Sequence, residues 1–395
     1  MGMYIHDLNV PWMKHSFARN RFMLQNEKQI EKILRINIPE VLIDTSKGID
    51  AVHAPSREEA EAKLMDRLID IAAEPVNLDT SHMESLWAES RQIHYEAVKV
   101  VGDVLNDIRL GKQVSVEKAE PIVANIANAV LANDGTLVSL CRIKQRDTYT
   151  FQHSVSISAL LVTFGHAIGG FSDENLMEIG LGGMFHDVGK MKIPLEILNK
   201  PGRLSEAEFG VMRTHVAEGV NYLKENGNLS VEALKIVEEH HERYDGAGYP
   251  MGLSRNAISR LGQMATIVDV YDAITSIRAY HSALEPVEAL KRIFEWGGRH
   301  FDVTLVEKFI KAIGIYPVGS LVRLESGRLA IVLRQGEHNL LQPIVRVVYN
   351  AVRGHRLPLQ DINLASPSCQ DQIIGYELSS TWGIDPIKFL GKKTP

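Results

Sequence analysis

The sequence predicts a mainly α-helical protein: a helical bundle, preceded by a small α/β module and followed by a short β-rich appendage. Three observations carry this. From Ser115 to about Ile315 apolar residues recur at three- and four-residue steps, as in Phe151, Val155, Leu160, Leu161 and Phe164. The breaks there are short and contain Gly or Pro: Gly169-Gly170, Lys200-Pro201-Gly202 and Asp245 to Pro250. After Pro317 the pattern turns β-like, in Leu321 to Leu324, Leu329 to Leu333 and Ile344 to Tyr349, with Glu325-Ser326-Gly327 as a hairpin turn. Before residue 50, a helical stretch Glu27 to Ile36 leads into a strand-like Ile38 to Asp44.

A chain of 395 residues is too long for one compact core. The expected division is a module over 1–55, a helical linker over 56–114, a catalytic domain over 115–316 and the appendage over 317–395. In the linker, Ser56 to Ala73 is charged and amphipathic and Pro75 ends it. Residues 82–110 form a long helix with Leu86, Ile93, Tyr95, Val98, Val101, Leu105 and Ile108 on one side. That stripe packs on the next domain or pairs with a second copy in a homodimer; the sequence leaves both open.

A net charge of −6 and a pI of about 6.2 exclude a general DNA or RNA binder but not a small anionic substrate. Two cysteines, Cys141 and Cys369, form no CxxC pair, as expected of a reducing compartment. No signal-peptide core and no run of about 18 apolar residues is present, so the expectation is a soluble cytoplasmic protein without a membrane span.

Seven potential metal ligands are strung along the bundle: His153, His186 and Asp187, His215, His240 and His241, and Asp269. The stations are roughly one helical hairpin apart, so each can lie on a different helix facing one interior. With 15 histidines, chance alone supplies about one His-Asp dipeptide, and His6-Asp7 is read as the accidental one. The weight lies in the surroundings. An apolar helix from near Glu174 carries Leu176, Ile179, Leu181 and Phe185 and delivers His186-Asp187 at its end, with Gly189 for the turn and Lys190 for an anion. A second helix with Val231, Leu234, Ile236 and Val237 ends in His240-His241, followed by a loop where Gly246 and Gly248 are free to take positive φ and Pro250 stiffens the exit. On a third, Asp269 and Asp272 share a face among apolar residues. Buried carboxylates need partners, which metal ligation by Asp269 and a structural hydrogen bond by Asp272 would provide.

Together these segments, above all the string from His240 to Gly248-Tyr249-Pro250, resemble the HD-GYP family of cyclic di-GMP phosphodiesterases, a branch of the HD-domain metal-dependent phosphohydrolases. The resemblance covers about residues 115–315, and the N-terminal segment looks like a small domain often found before such catalytic domains. It implies an HD-domain bundle in which His153, His186, Asp187 and Asp269 bind one divalent metal ion. Asp187, His215, His240 and His241 bind a second, with Asp187 bridging. The family typically uses iron or manganese, and the imidazole-rich set also suits zinc. Lys190 matches a lysine near the scissile phosphate and Arg278 a basic residue that holds phosphate. Three positions depart from the pattern. Tyr149 stands where some members carry a glutamate for a third metal, so two ions are expected. His281 stands where a lysine or arginine is usual, and Val303 where proline is frequent.

The implied reaction is hydrolysis of cyclic di-GMP to linear pGpG or GMP, with Asp187 and Lys190 catalytic. A hydroxide bridging the two ions would attack phosphorus in line with the leaving 3′-oxygen. Lys190, Arg278, Arg243 and His281 would contact substrate. Alternatives are another cyclic dinucleotide such as 3′,3′-cyclic GMP-AMP, a catalytically weak receptor, and a protein-partner role for the loop Gly246 to Pro250.

Overall fold

The computed structural model describes residues 2–8, 21–35, 40–51, 54–72, 83–112, 116–131, 135–141, 149–226, 229–276, 283–336 and 339–390. The chain divides into two compact units, Met1–Arg67 and Leu68–Pro395.

In the first unit β1 (Tyr4–Asp7) is the centre of a three-stranded antiparallel sheet, between β2 (Phe22–Met23) and β3 (Leu42–Ile43). Helix α1 (Glu27–Arg35) gives Ile33 to a core with Ile5, Leu8 and Leu24. The expected helix is therefore present, and the expected strand is confined to Leu42–Ile43, with residues 36–39 outside the described residues. Helix α2 (Arg57–Ala72) occupies the charged amphipathic stretch and contains the division between the units.

The second unit contains the helical bundle expected from the sequence. Helices α3 (Met83–Arg109), α4 (Glu120–Leu131) and α5 (Thr136–Leu140) surround α6 (Tyr149–Ile168), which also packs against α7 (Asp173–Phe185). Helix α6 is buried on nearly every side from Gln152 to Val162, as befits a helix apolar all round. Ser172 caps α7 by accepting from the Asn175 amide, while the Asn175 side chain accepts from the Ser172 amide. Two glycines bring α7 close: a Cβ on Gly183 would lie 3.1 Å from Ser158 Cα, and one on Gly180 would lie 2.6 Å from Val123 Cγ1. The chain continues through α8 (Leu195–Leu198), α9 (Glu206–Arg213), α10 (His215–Asn226) and α11 (Val231–Glu239). Helices α12 (Arg260–Thr275), α13 (Pro286–Glu295) and α14 (Val303–Ile313) complete the bundle, α12 and α14 against α6. Val303 is the first residue of α14, behind its Asp302 cap, a position that also accepts proline.

The face of α3 is used within the chain. Val101, Leu105 and Ile108 are buried with α4 to α7, and Trp87 packs on the C-terminal sheet. Tyr95 leaves the predicted stripe, being 68% exposed. The appendage is a five-stranded antiparallel sheet in the order β7 (His355–Asn363), β6 (Ile344–Asn350), β5 (Arg328–Arg334), β4 (Leu321–Leu324), β8 (Ile373–Tyr376). The turn from β4 to β5 is the expected Glu325-Ser326-Gly327, with Gly327 at φ 75°. Pro358 lies on the edge strand, where a missing N–H is tolerated. Two single-turn helices, α15 (Ser379–Trp382) and α16 (Ile387–Leu390), close the described chain, with Leu390 in the sheet core.

Candidate metal centre

Every one of the seven expected ligands lies at a helix end or on a helix facing the same interior. His153 is in the second turn of α6, His186 caps the C-terminus of α7 and Asp187 follows it. His215 opens α10, His240 caps the C-terminus of α11 with His241 next, and Asp269 is on α12. Their ligand atoms form two groups, each within 4.8 Å: His153, His186 and Asp269, and Asp187, His215, His240 and His241. Asp187 stands between them. Its Oδ2 is 3.3 Å from His186 Nε2 and 3.6 Å from His153 Nε2. Its Oδ1 is 3.3 Å from His215 Nε2 and 3.7 Å from His240 Nε2. Asp269 spans the groups as well, Oδ1 3.2 Å from His153 Nε2 and Oδ2 3.8 Å from His241 Nδ1.

The imidazoles are oriented from behind. Nδ1–H of His186 donates to the Gly183 carbonyl at 2.7 Å, that of His215 to Met212 at 2.7 Å and that of His240 to Val237 at 2.9 Å. His153 Nδ1 meets Asp272 Oδ2 at 2.7 Å, the structural role expected of Asp272. A histidine whose Nδ1 proton is so engaged presents the Nε2 lone pair, the form that binds metal. The Nε2 atoms face each other in pairs: His186 Nε2 lies 3.2 Å from His153 Nε2, and His215 Nε2 3.5 Å from His240 Nε2. Asp187 Oδ1 is buried without a hydrogen bond among the described residues. Such a cluster of acceptors fits cations placed among them.

The electrostatics differ between the groups. Burial pushes the Asp187 carboxyl up, but the charges of Lys190 and His186 outweigh it and hold the group well below the usual carboxylate range. At Asp269 burial is likewise outweighed by the hydrogen bond and charge of His153. His186 is raised, because Asp187 and Asp269 overcome the effect of burial. His240 is pushed down to about 4 by burial, and His241 falls well below its ordinary value through burial and the neighbouring His240 and His215.

Around the ligands, the Lys190 ammonium pairs with Asp187, and its carbonyl accepts from Arg109 at 3.2 Å. Arg243 turns to Asp245 on its own loop. Arg278 and His281 lie outside the described residues. Tyr149 stacks on His153, with centroids 6.0 Å apart.

Two glycines act for a reason other than the one expected. Gly246 does have positive φ, at 77°, but Gly189 and Gly248 do not. A Cβ on Gly189 would lie 1.8 Å from the His215 carbonyl oxygen, and one on Gly248 would lie 2.6 Å from that of His241. Both serve close backbone approach. The sequence reading also missed Glu242. Its fully buried carboxylate accepts from the amides of Met251 at 2.7 Å, Gly252 at 3.1 Å and Leu253 at 2.9 Å. This folds the loop back so that Tyr249 leans on His241, with centroids 4.6 Å apart.

Residues 142–305 match the family model described as HD domain, and residues 1–119 match a domain of unknown function, DUF3391. The chain is 37% identical over 389 residues, 97% of its length and 91% of the relative's, to the cyclic di-GMP phosphodiesterase PA4108 of Pseudomonas aeruginosa. The chain belongs to the HD-GYP family. Members of this HD-GYP type differ in substrate. The cyclic di-GMP phosphodiesterase response regulator RpfG of Xanthomonas campestris is 33% identical over 208 residues, 51% of this chain and 53% of that protein. The 3′3′-cGAMP-specific phosphodiesterase 2 of Vibrio cholerae is 32% identical over 196 residues, 49% of this chain and 35% of that protein. HD-domain phosphohydrolases are metal-dependent, and the two His/Asp groups are where this HD-GYP chain can hold metal.

Proposed function

We propose that the chain hydrolyses cyclic di-GMP to linear pGpG or GMP, with His153, His186, Asp187, His215, His240, His241 and Asp269 holding two divalent ions, iron or manganese, zinc being chemically compatible. The observation that carries the reading is the position of Asp187, one oxygen toward each histidine group. Family membership over nearly the whole chain supports the substrate. Ions held there would supply Lewis acidity and lower the pKa of water toward neutrality.

The chain's own residues supply the rest. Lys190, partly buried beside Asp187, offsets charge on the phosphoryl oxygens and gives a proton to the leaving 3′-oxygen. The tethers to Gly183, Met212, Val237 and Asp272 keep the imidazoles aimed at the centre, so little reorganisation accompanies binding. Arg278 and His281 are assigned to substrate phosphate by the family pattern. Arg243, paired with Asp245, shapes the loop and contacts substrate from it.

A second reading, hydrolysis of 3′,3′-cyclic GMP-AMP, is favoured by the 32% identity to the Vibrio cholerae enzyme of that specificity. No helix among the described residues is long and apolar enough to cross a membrane, which is in keeping with a cytoplasmic enzyme. We also assign a protein-docking role to the loop, where Pro250 and Met251 are exposed, and a homodimer contact to helix 82–110 through exposed Tyr95 and Leu110.

Anaerobic purification with metal analysis, then chromatography of products from cyclic di-GMP, 3′,3′-cyclic GMP-AMP and cyclic di-AMP, tests the proposal. Two ions per chain and fastest turnover of cyclic di-GMP are expected. A fully metallated protein that cleaves none of the three would refute it.

A further inference from the structure

Arg213 is the last residue of α9 and lies two positions before the ligand His215. It is exposed, yet its guanidinium is held against two rings, 4.5 Å from the Phe209 centroid and 5.3 Å from that of Tyr249. Phe209 and Tyr249 meet edge to face at 6.2 Å, and Tyr249 in turn lies against His241 at 4.6 Å and His215 at 6.4 Å. A continuous chain of ring contacts thus runs from His215 and His241 outward to a guanidinium at the surface.

Of the other described cations near the centre, Lys190 pairs with Asp187, Arg243 with Asp245, and Arg109 donates to the Lys190 carbonyl. Among the described residues the Arg213 side chain has neither an ion pair nor a hydrogen bond, only its two rings. A guanidinium held in place by aromatic contacts and otherwise exposed is a group on which a nucleobase stacks. Its position also suits the substrate. In a nucleotide the base lies one ribose from the phosphate, and Arg213 lies one aromatic ring from two ligands.

We propose that Arg213, backed by Phe209 and Tyr249, is a stacking platform for one purine of the cyclic dinucleotide, and so a determinant of substrate choice. This rests on the function proposed above. The plane recognises the extended π face of a purine, and a pyrimidine covers less of it. Charge alone does not make this distinction, since all cyclic dinucleotides carry the same two phosphates.

The test compares cyclic di-GMP with cyclic di-UMP, which keeps the ring, riboses and phosphates and changes the bases. On the metal-loaded full chain, Arg213→Ala is expected to lower the ratio of kcat/KM values for the two substrates about tenfold, mainly through KM for cyclic di-GMP. Arg213→Lys, which keeps charge but lacks the plane, should resemble Arg213→Ala. An unchanged ratio in Arg213→Ala, or a wild-type ratio in Arg213→Lys, overturns the proposal. Calorimetric affinities for both ligands read the same preference without turnover. An enzyme that cleaves neither compound but binds cyclic di-GMP in an Arg213-dependent way would sink the proposed activity and leave the platform standing.

Discussion

His186, His215 and His240 are each tethered to a carbonyl three residues earlier, whereas His153 is tethered to Asp272, 119 residues further along the chain. The first kind of tether exists as soon as the turn around the histidine forms. The second exists only when α6 and α12 have docked. The tethered histidines of the Asp187, His215, His240 and His241 group are therefore both aimed by local backbone, whereas the His153, His186 and Asp269 group combines one local tether with one made only by tertiary assembly. The protonation preferences differ too: His186 is driven toward its charged form and His240 and His241 toward the neutral form.

The harshest test removes what the groups share. Asp187→Ala should empty both of metal and lower hydrolysis on the order of a thousandfold, as loss of a preorganised electrostatic group does. Metal analysis and initial rates check this, and full metal with unchanged turnover would refute the scheme. Asp272→Ala should separate the groups. Loss of an outer tether lowers metal affinity or activity about 10- to 100-fold, and here the loss should fall on one ion of the two. Equal weakening of both in a metal titration would show that the two groups do not bind metal independently.

Glu242 extends the comparison to the loop. Glu242→Ala leaves three amides without their acceptor and should lower the unfolding free energy by about 3 kcal/mol. Urea denaturation measures it, and a midpoint equal to wild type would show that the loop is held by other means. The smallest effect is a pH slope in the metal-free protein. His240 is held down at about 4 when folded, so between pH 6.5 and 4 the unfolded chain binds a proton that the folded chain does not. Stability from this group is present above pH 6.5 and is lost as pH falls through that window. His186, raised instead, contributes fully below pH 6.5 and loses its contribution as pH rises through its folded value. Because the two contributions oppose each other, urea midpoints of wild type and His240→Gln in chelator at pH 5 and 7 test the first part, and a pH difference equal in the two proteins would contradict it.

The seven candidate side chains were legible in the sequence because their surroundings are unusual. Adjacent histidines before a glycine-rich loop, and His-Asp at the end of an apolar helix, have little structural purpose of their own. Asp272 was legible through cost, since a second carboxylate on the buried face of α12 needs a partner. Strands β1 and β2, of 4 and 2 residues, are too short to show a period. Gly189 and Gly248 were noticed but their purpose was not, since close approach depends on a neighbour distant in sequence or folded back in space. Glu242 and Arg213 did not stand out in the sequence for a similar reason. A charged residue in a polar stretch reads as solvated until the amides or rings around it are known. Tyr95 fell in the predicted stripe by spacing alone, and the packing of α3 turns it to solvent.

The contact at Gly189 has a consequence for how such an enzyme can diversify. With no room for even one methyl between that residue and the strandless turn that begins α10, main chain rests on main chain, and no choice of side chain can widen or narrow the gap. The spacing between the His186-Asp187 turn and His215 is thereby set by backbone. Selection for a new substrate has little to adjust at that depth and is left with the rim.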